Sequence, residues 1–360
     1  MIVDIYHWLR DTYLLYSRKK HLNNVWDKCV KHVALKSLSK EQEREIITYW
    51  LELTGKRVNP RWHQLLYSIT GVYTVRYMPF EIYMDMIDAL CPTKMIKAFD
   101  DKALYRYFFP SKILPQRVAE YTNGCAFLPE NEWEGVTYNT LLSALQNIDD
   151  CIIKPSAESC AGNGVSAFTT VNGIVQQTHE ELSLFLKRYG NGFVIERKVH
   201  ECNNLAVLNP SSCNTLRIHT YRDKDGSIHY VSSFIRIGKK GAVVDNGGQG
   251  GLLAQISREG IIGDAWTIKP SFAKVDETDS GILIKGYKVE NMDKVITTAI
   301  KAHHRLSMFG IIGWDFAIDE NNNPIMIEFN PNADMRTDQI WYYESCLLDK
   351  QEEIMKLVYK

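Results

Sequence analysis

Polar and apolar positions follow a helical period up to about residue 98 and a two-residue period through much of the rest. Ile2, Ile5, Tyr6, Leu9, Tyr13 and Tyr16 fall near helical spacing and are followed by Arg18, Lys19 and Lys20, which predicts an amphipathic helix. Its apolar face is expected to dock on the protein's own core. Peripheral contact with a membrane surface is the lesser alternative, because Asp4 and Asp11 dilute the basic charge. EQEREIITYWLELTG at 41–55 is the clearest helix, with Gly55 placed as its C-terminal cap. From Asp100 the texture changes: DDKALYRYFFPSKILP reads as a short helix with a proline-punctuated exit, so a domain boundary is expected near residue 98. Beyond it TYNTLLSALQNIDD and HEELSLFLKRYG read as helices, and CIIKPS and GFVIERKV as strands. The remainder is richer in strand, through NTLRIHTYR, IHYVSSFIRIG, GWDFAID and PIMIEFN, with one strong helix from about Asn291 to Met308. The mixture predicts an α+β protein.

Composition narrows the function classes. The 42 Lys and Arg residues nearly cancel the 43 Asp and Glu, so no net field draws the chain to nucleic acid, and an anionic ligand must be met by local charge. A nucleic-acid role is not expected. The eight cysteines are scattered, without a C-x-x-C pair, which favours reduced thiols in a cytoplasm. The start lacks the order of a secretory signal, and no stretch is long and apolar enough to span a bilayer.

Three constellations carry candidate chemistry. GWDFAID and PIMIEFN, joined by Glu320 and an Asn run, read as a hairpin. Alternation puts Glu328 and Asn330 on one face and Phe329 on the other, and Asp315 enters an otherwise apolar strand between Trp314 and Phe316. Oxygen-bearing side chains among apolar neighbours need a partner, and a hard divalent cation would supply one. Oxygen-only ligands suit magnesium or manganese rather than zinc. Hydrogen bonds to structural neighbours are the rival explanation.

The second is IIKPSAESCAGNGVSAF, where a strand delivers Lys154 to a loop containing Ser156, Ser159, Gly162 and Gly164 before Val165 restarts a strand. Small residues let backbone amides approach phosphate oxygens beside the lysine. A surface turn would look similar. The third is FVIERKV, whose edge suits an adenine rim, with Glu196 accepting from the exocyclic amine and Val199 covering the ring; a structural ion pair of Glu196 is the alternative. Upstream, Lys102 begins a helix. Arg217 and His219 share a strand face, with Arg236 on a later strand, and arginines there could clamp a phosphoryl group. VVDNGGQGGLLAQI is a second glycine-rich turn, with Gly247, Gly248, Gly250 and Gly251.

The order of these signals, DK, K-P-S with a glycine-rich loop, IE-x-x-V, an arginine-bearing strand, N-x-G-x-G-G and D…E-x-N, resembles the ATP-grasp superfamily over residues 99–335. In flavour it resembles the sugar-transfer-associated ATP-grasp proteins of cell-surface polysaccharide synthesis. The resemblance implies an ATP-grasp fold, with a small or lid subdomain at 99–200 and a central, metal-bearing subdomain at 201–360, after the mostly helical region that the periodicity predicts at 1–98. It places Lys102 and Lys154 on the nucleotide phosphates, Glu196 and Val199 on adenine, and Glu201 or Asn204 near the ribose. Asp315, Glu328 and Asn330 would hold two magnesium ions, or manganese. Many relatives with ligase activity carry an arginine two residues before the first metal aspartate, where this chain has Gly313; Arg217, Arg236 and Arg336 are the candidates to replace it.

The reaction so implied is formation of an amide or related bond between a carboxylate and an amine, with ADP released through an acyl phosphate. A glycan precursor or amino acid would be the partner. A kinase on the same scaffold, or a nucleotide-binding scaffold without turnover, are the alternatives.

Overall fold

Alternating side chains in the strand-rich part of the chain build two sheets, each with one face sealed by helices and the other carrying charge. The computed structural model describes residues 17–31, 33–131, 134–157, 163–242, 250–268 and 272–359; the expected helix at 2–16 and the glycine-rich residues 243–249 lie outside them. By contact the chain divides into two compact units, residues 1–89 with 334–360, and residues 90–333.

The first unit is helical. Residues 17–30 are helical, and Lys40–Thr54 follows the Ser39 capping box and ends at Gly55, whose φ of 70° is the left-handed conformation of a C-cap glycine. Arg61–Thr70, Phe80–Leu90 and the C-terminal Gln351–Val358 complete it. Residues 334–360 group here rather than with the strands before them. Arg76 reaches Glu344 at 3.2 Å and Glu352 at 2.5 Å, and the Tyr49 hydroxyl donates to Glu352 at 2.9 Å.

In the second unit the first sheet holds β1 (Arg117–Thr122), β2 (Cys125–Phe127), β3 (Ile148–Pro155), β4 (Ser166–Val171), β5 (Ile174–Val175), β6 (Glu180–Glu181) and β7 (Gly192–Arg197), in spatial order β2-β1-β7-β3-β4-β5-β6. The second holds β8 (Thr215–Arg222), β9 (Ile228–Ile237), β10 (Leu252–Ile256), β11 (Ile262–Thr267), β12 (Ala273–Val275), β13 (Ile311–Ile318) and β14 (Pro324–Asn330), in order β12-β11-β10-β9-β8-β13-β14. All the described pairings are antiparallel. Two expected helices are shorter than read. Tyr138–Ala144 stops before Ile148, because Asp150 takes a positive φ of 46° at a bulge and its neighbours join β3; Leu182–Lys187 starts only after β6.

Ala119, Ile153 and Ile195 of the first sheet pack with Leu141, Leu182, Phe185 and Leu186. In the second sheet Leu216, Ile218, Ile235, Trp314 and Phe329 pack with Val295, Ile296 and Ala299 of helix Met292–His303. A polar chain crosses this core. Trp314 Nε1 donates to Thr220 Oγ1 at 2.8 Å, Thr220 Oγ1 lies 2.8 Å from His303 Nδ1, and His303 Nε2 lies 2.9 Å from the Phe309 carbonyl. A carbonyl only accepts, so Nε2 carries the proton, Nδ1 accepts from the threonine hydroxyl, and the ring is neutral. Burial lowers the pKa of His303 to about 4, and that of His63 in the first unit likewise to about 4.

Stability should therefore depend on pH below neutrality. An unfolded imidazole binds a proton near pH 6.5 while these folded ones wait until about 4, so stability is fully present above 6.5 and is lost as pH falls toward 4. Urea unfolding at pH 7, 6 and 5 is expected to show a decline of roughly 1 kcal/mol per pH unit for each such histidine. The decline should be smaller in His303→Asn; a slope that this substitution leaves unchanged contradicts the assignment.

Candidate functional site

The polar face of the second sheet is fixed by register. Arg217 on β8 stands opposite Asp315 on β13, and Asp315 stands opposite Glu328 on β14, while Gly313 is opposite both His219 and Asn330. Side chains directly opposite share a face. Arg217, Asp315, Glu328 and Asn330 are thereby neighbours although 113 positions separate the outermost two (330 − 217).

Within that row the charges are not equivalent. Asp315, 3% exposed, receives Arg217 Nε at 2.5 Å and Nη2 at 2.8 Å, a bidentate pair, with Arg236 Nη1 at 3.3 Å and Asn330 Nδ2 at 3.4 Å. Burial alone would raise its carboxyl pKa; the two guanidinium groups outweigh burial and hold it below the ordinary carboxylate value. Asp315 thus finds its counter-charge within the fold, in Arg217 and Arg236 rather than in a metal ion. Glu328 differs: its side chain is 30% exposed and its one described ion pair is with Lys102 Nζ, at 3.5 Å. Glu328 and Asn330 therefore present the more available oxygens for a hard cation, with Asp315 contributing through lone pairs that the guanidiniums leave.

Gly313 leaves room for an arginine that comes from elsewhere. A Cβ at 313 would stand 3.3 Å from Arg217 Cδ and Nη1 and 3.0 Å from the Ala333 Cβ. The guanidinium of Arg217 fills the space over this glycine, delivered from β8 rather than from β13. Arg236 is the more reachable cation, with 24% of its side chain exposed against 7% for Arg217. Arg336 belongs to the other unit, where it is bidentate to Asp334 at 2.5 and 2.7 Å and lies 4.3 Å over the Phe80 ring.

The first sheet supplies a second charged face. Lys154 on β3 and Glu196 on β7 are diagonal neighbours, because Ile152 is the direct partner of Glu196; the Lys154 Nζ to Glu196 Oε2 distance is 2.7 Å. Arg117 on β1 stands opposite Glu196, 3.3 Å from Oε1, and 3.5 Å from Glu120, which Arg106 approaches at 3.0 Å. Lys102, Glu120, Lys154 and Glu196 are all buried. Among the described ion pairs Arg106, Arg117 and Lys154 meet Glu120 and Glu196 while Lys102 meets Glu328, four cations to three carboxylates, and the surplus suits an anionic ligand. Arg106, Arg117 and Glu120 were not singled out from sequence: isolated charges in DDKALYRYFF and RVAEYT look like any solvated pair, and strand alternation puts Arg117 and Glu120 on opposite faces, whereas a register shift between Arg117 and Ala119 brings them together.

Lys102 joins the two faces. Its backbone N–H donates to the Ser156 carbonyl at 2.7 Å, and its Nζ is on Glu328. Gly164, with φ of 76° and Pro155 Cγ only 2.8 Å from where a Cβ would be, closes the loop in a way that requires glycine. Val165 precedes β4; Ser159 and Gly162 lie outside the described residues. Val199 lies just beyond β7, its carbonyl accepting from the Cys213 thiol at 3.4 Å. Glu201 accepts from the backbone N and Nδ2 of Asn214 at 2.7 and 2.9 Å, and Asn204 Nδ2 donates to the Lys288 carbonyl at 3.0 Å.

A family model described as sugar-transfer associated ATP-grasp matches residues 85–356. The chain belongs to this ATP-grasp family. A comparison with curated proteins finds no match. Among solved structures, similarity extends to the biotin carboxylase domain of 2-oxoglutarate carboxylase from Hydrogenobacter thermophilus, in complex with MgADP, ADP and bicarbonate (12% identity, TM-score 0.43, 88% of this chain and 56% of that one). It extends also to an L-amino acid ligase from Bacillus licheniformis (12%, 0.37, 71% and 47%) and to the D-alanine-D-alanine ligase from Coxiella burnetii (14%, 0.38, 72% and 58%). The ATP-grasp chain spans about half the length of these proteins. No helix among its described residues is long and apolar enough to cross a membrane.

The unequal environments of this ATP-grasp chain's two carboxylates predict unequal effects on stability. Asp315→Ala leaves two guanidiniums without their buried anion and is expected to cost about 3–5 kcal/mol. Glu328→Ala removes a longer and half-buried pair but leaves the buried Lys102 ammonium without this anion, and is expected to cost less, about 1–2 kcal/mol. Urea unfolding of the two variants checks the order; equal losses would contradict it.

Proposed function

We propose that this ATP-grasp protein is an ATP- and magnesium-dependent ligase that joins a carboxylate to an amine and releases ADP. The observation that carries the reading is the position of Lys102, held by its backbone on the strand end that follows Lys154 and by its ammonium on Glu328. Lys102 thereby links the strand that carries Lys154, a candidate for phosphate oxygens, to the strand that carries Glu328, a candidate for cations.

In this proposal Lys102, Lys154, Ser156 and the backbone of the 156–165 loop bind the phosphates, and Val199 covers the adenine edge. Glu196 orients Lys154, which is where its oxygens lie; accepting from the adenine amine would use its remaining lone pairs. Glu328, Asn330 and Asp315 would hold magnesium, which neutralises phosphate charge when bound. Arg236 is the arginine best placed to reach the transferred phosphoryl group, because Arg217 is bidentate to Asp315 and Arg336 to Asp334.

The acceptor carboxylate attacks the terminal phosphorus, the bond to the ADP oxygen breaks, and an acyl phosphate results. The amine then attacks the acyl carbon, and inorganic phosphate and the amine proton leave. Alignment and charge neutralisation do this work without a protein nucleophile. The family's description points to a glycan precursor as one partner, and a cytoplasmic setting would give access to ATP.

Incubation with ATP, magnesium and pooled carboxylates and amines should release ADP and give a product whose mass is the sum of acid and amine less water. AMP release would contradict the acyl-phosphate route, and a phosphorylated product formed without amine would indicate a kinase. Glu328→Ala should abolish ADP release while remaining folded; wild-type turnover in that variant removes the metal assignment.

A further inference from the structure

Glu196 stands between two cations of different kind. Its Oε2 lies 2.7 Å from Lys154 Nζ and its Oε1 lies 3.3 Å from Arg117 Nη2. Both Glu196 and Lys154 are buried, so neither charge can turn to bulk water when the pair separates. Lys154 carries a single ammonium on a flexible stem. Arg117 is anchored by a rigid fork: Nη2 also donates to the Lys102 carbonyl at 3.1 Å, and Nη1 lies 3.5 Å from Glu120. Of the two cations on Glu196, the lysine is the one able to leave.

We propose that Arg117 is a positioning residue that releases Lys154 to a polyphosphate by keeping Glu196 paired once the lysine has moved; this rests on the nucleotide reading above. A buried carboxylate that loses its partner is destabilised far more than an intact pair stabilises. With Arg117 opposite it on β1, Glu196 retains a counterion throughout. Without Arg117, moving Lys154 to phosphate would strand the carboxylate, and the lysine would stay where it is. The effect needs a negative charge at 196 and therefore disappears when that charge is removed. A role confined to holding the Lys102 turn would not disappear, since the bond to the Lys102 carbonyl does not involve Glu196.

The test is calorimetric titration of MgADP into the full chain in five forms: wild type, Arg117→Met, Arg117→Lys, Glu196→Gln and the Glu196→Gln/Arg117→Met double variant. Arg117→Met should weaken binding by about tenfold or more, and Arg117→Lys, which keeps a cation, should stay within about threefold of wild type. In the Glu196→Gln background the methionine should change affinity by less than about twofold. Wild-type affinity in Arg117→Met, or a loss of the same size in the Glu196→Gln background, overturns the proposal. Should Arg117→Met fail to fold, the comparison of Glu196→Gln with the double variant decides alone: equal affinity supports the proposal and a further loss overturns it. A wild type that binds no MgADP overturns the nucleotide reading and this inference with it, whereas wild-type binding with no difference between the two backgrounds overturns the inference only.

Discussion

Charge removed from water must be met within the fold, and in this protein cross-strand register is what meets it. Asp315 is buried on β13, next to the edge of the second sheet, and survives there because β8 presents Arg217 directly opposite and β9 brings Arg236 within 3.3 Å. A slip of one residue between β8 and β13 would point Arg217 into the apolar core and leave the aspartate with no bidentate partner. The same logic governs the first sheet, where β1, β7 and β3 align Arg117, Glu196 and Lys154 on one face. Register thus ties stability to the geometry of the site.

The two faces meet at Lys102. The first sheet and the turn before it gather Lys102, Arg106, Arg117 and Lys154, whose described carboxylate partners are Glu120, Glu196 and Glu328, while β13 and β14 offer oxygens of Glu328, Asn330 and an Asp315 already held by Arg217 and Arg236. Such an arrangement suits a ligand that is itself an anion carrying cations. Near-neutral composition, with 42 basic and 43 acidic residues, means that this local asymmetry and not the protein's net charge must recruit it.

Much of this was legible in the chain. The alternation in GWDFAID and PIMIEFN anticipates the hairpin that pairs Asp315 with Glu328, and TLRIHTY places Arg217 and His219 on one face as observed. The fold class followed from the mixture of periods and from the order of motifs. What stayed hidden was tertiary. Nothing local distinguishes Arg117 or Glu120 from solvated residues, because their burial depends on strands that are distant in sequence. For the same reason the grouping of 334–360 with the helical region could not be read: it depends on Arg76 meeting Glu344 and Glu352, some 270 positions away. Nor does sequence show that Asp315 finds arginine partners, since an isolated aspartate in an apolar strand looks the same whether arginine or metal answers it.

The central claim is that Lys102 and Lys154 face the phosphates of one nucleotide. An acyl-phosphate derivative of ATP, which transfers its acyl group to lysines close to the bound phosphates, tests it directly when the labelled peptides are identified by mass spectrometry. The account predicts labelling at Lys154, Lys102 or both, suppressed by excess ATP with magnesium. Labelling confined to exposed lysines such as Lys285, and indifferent to ATP, would contradict it.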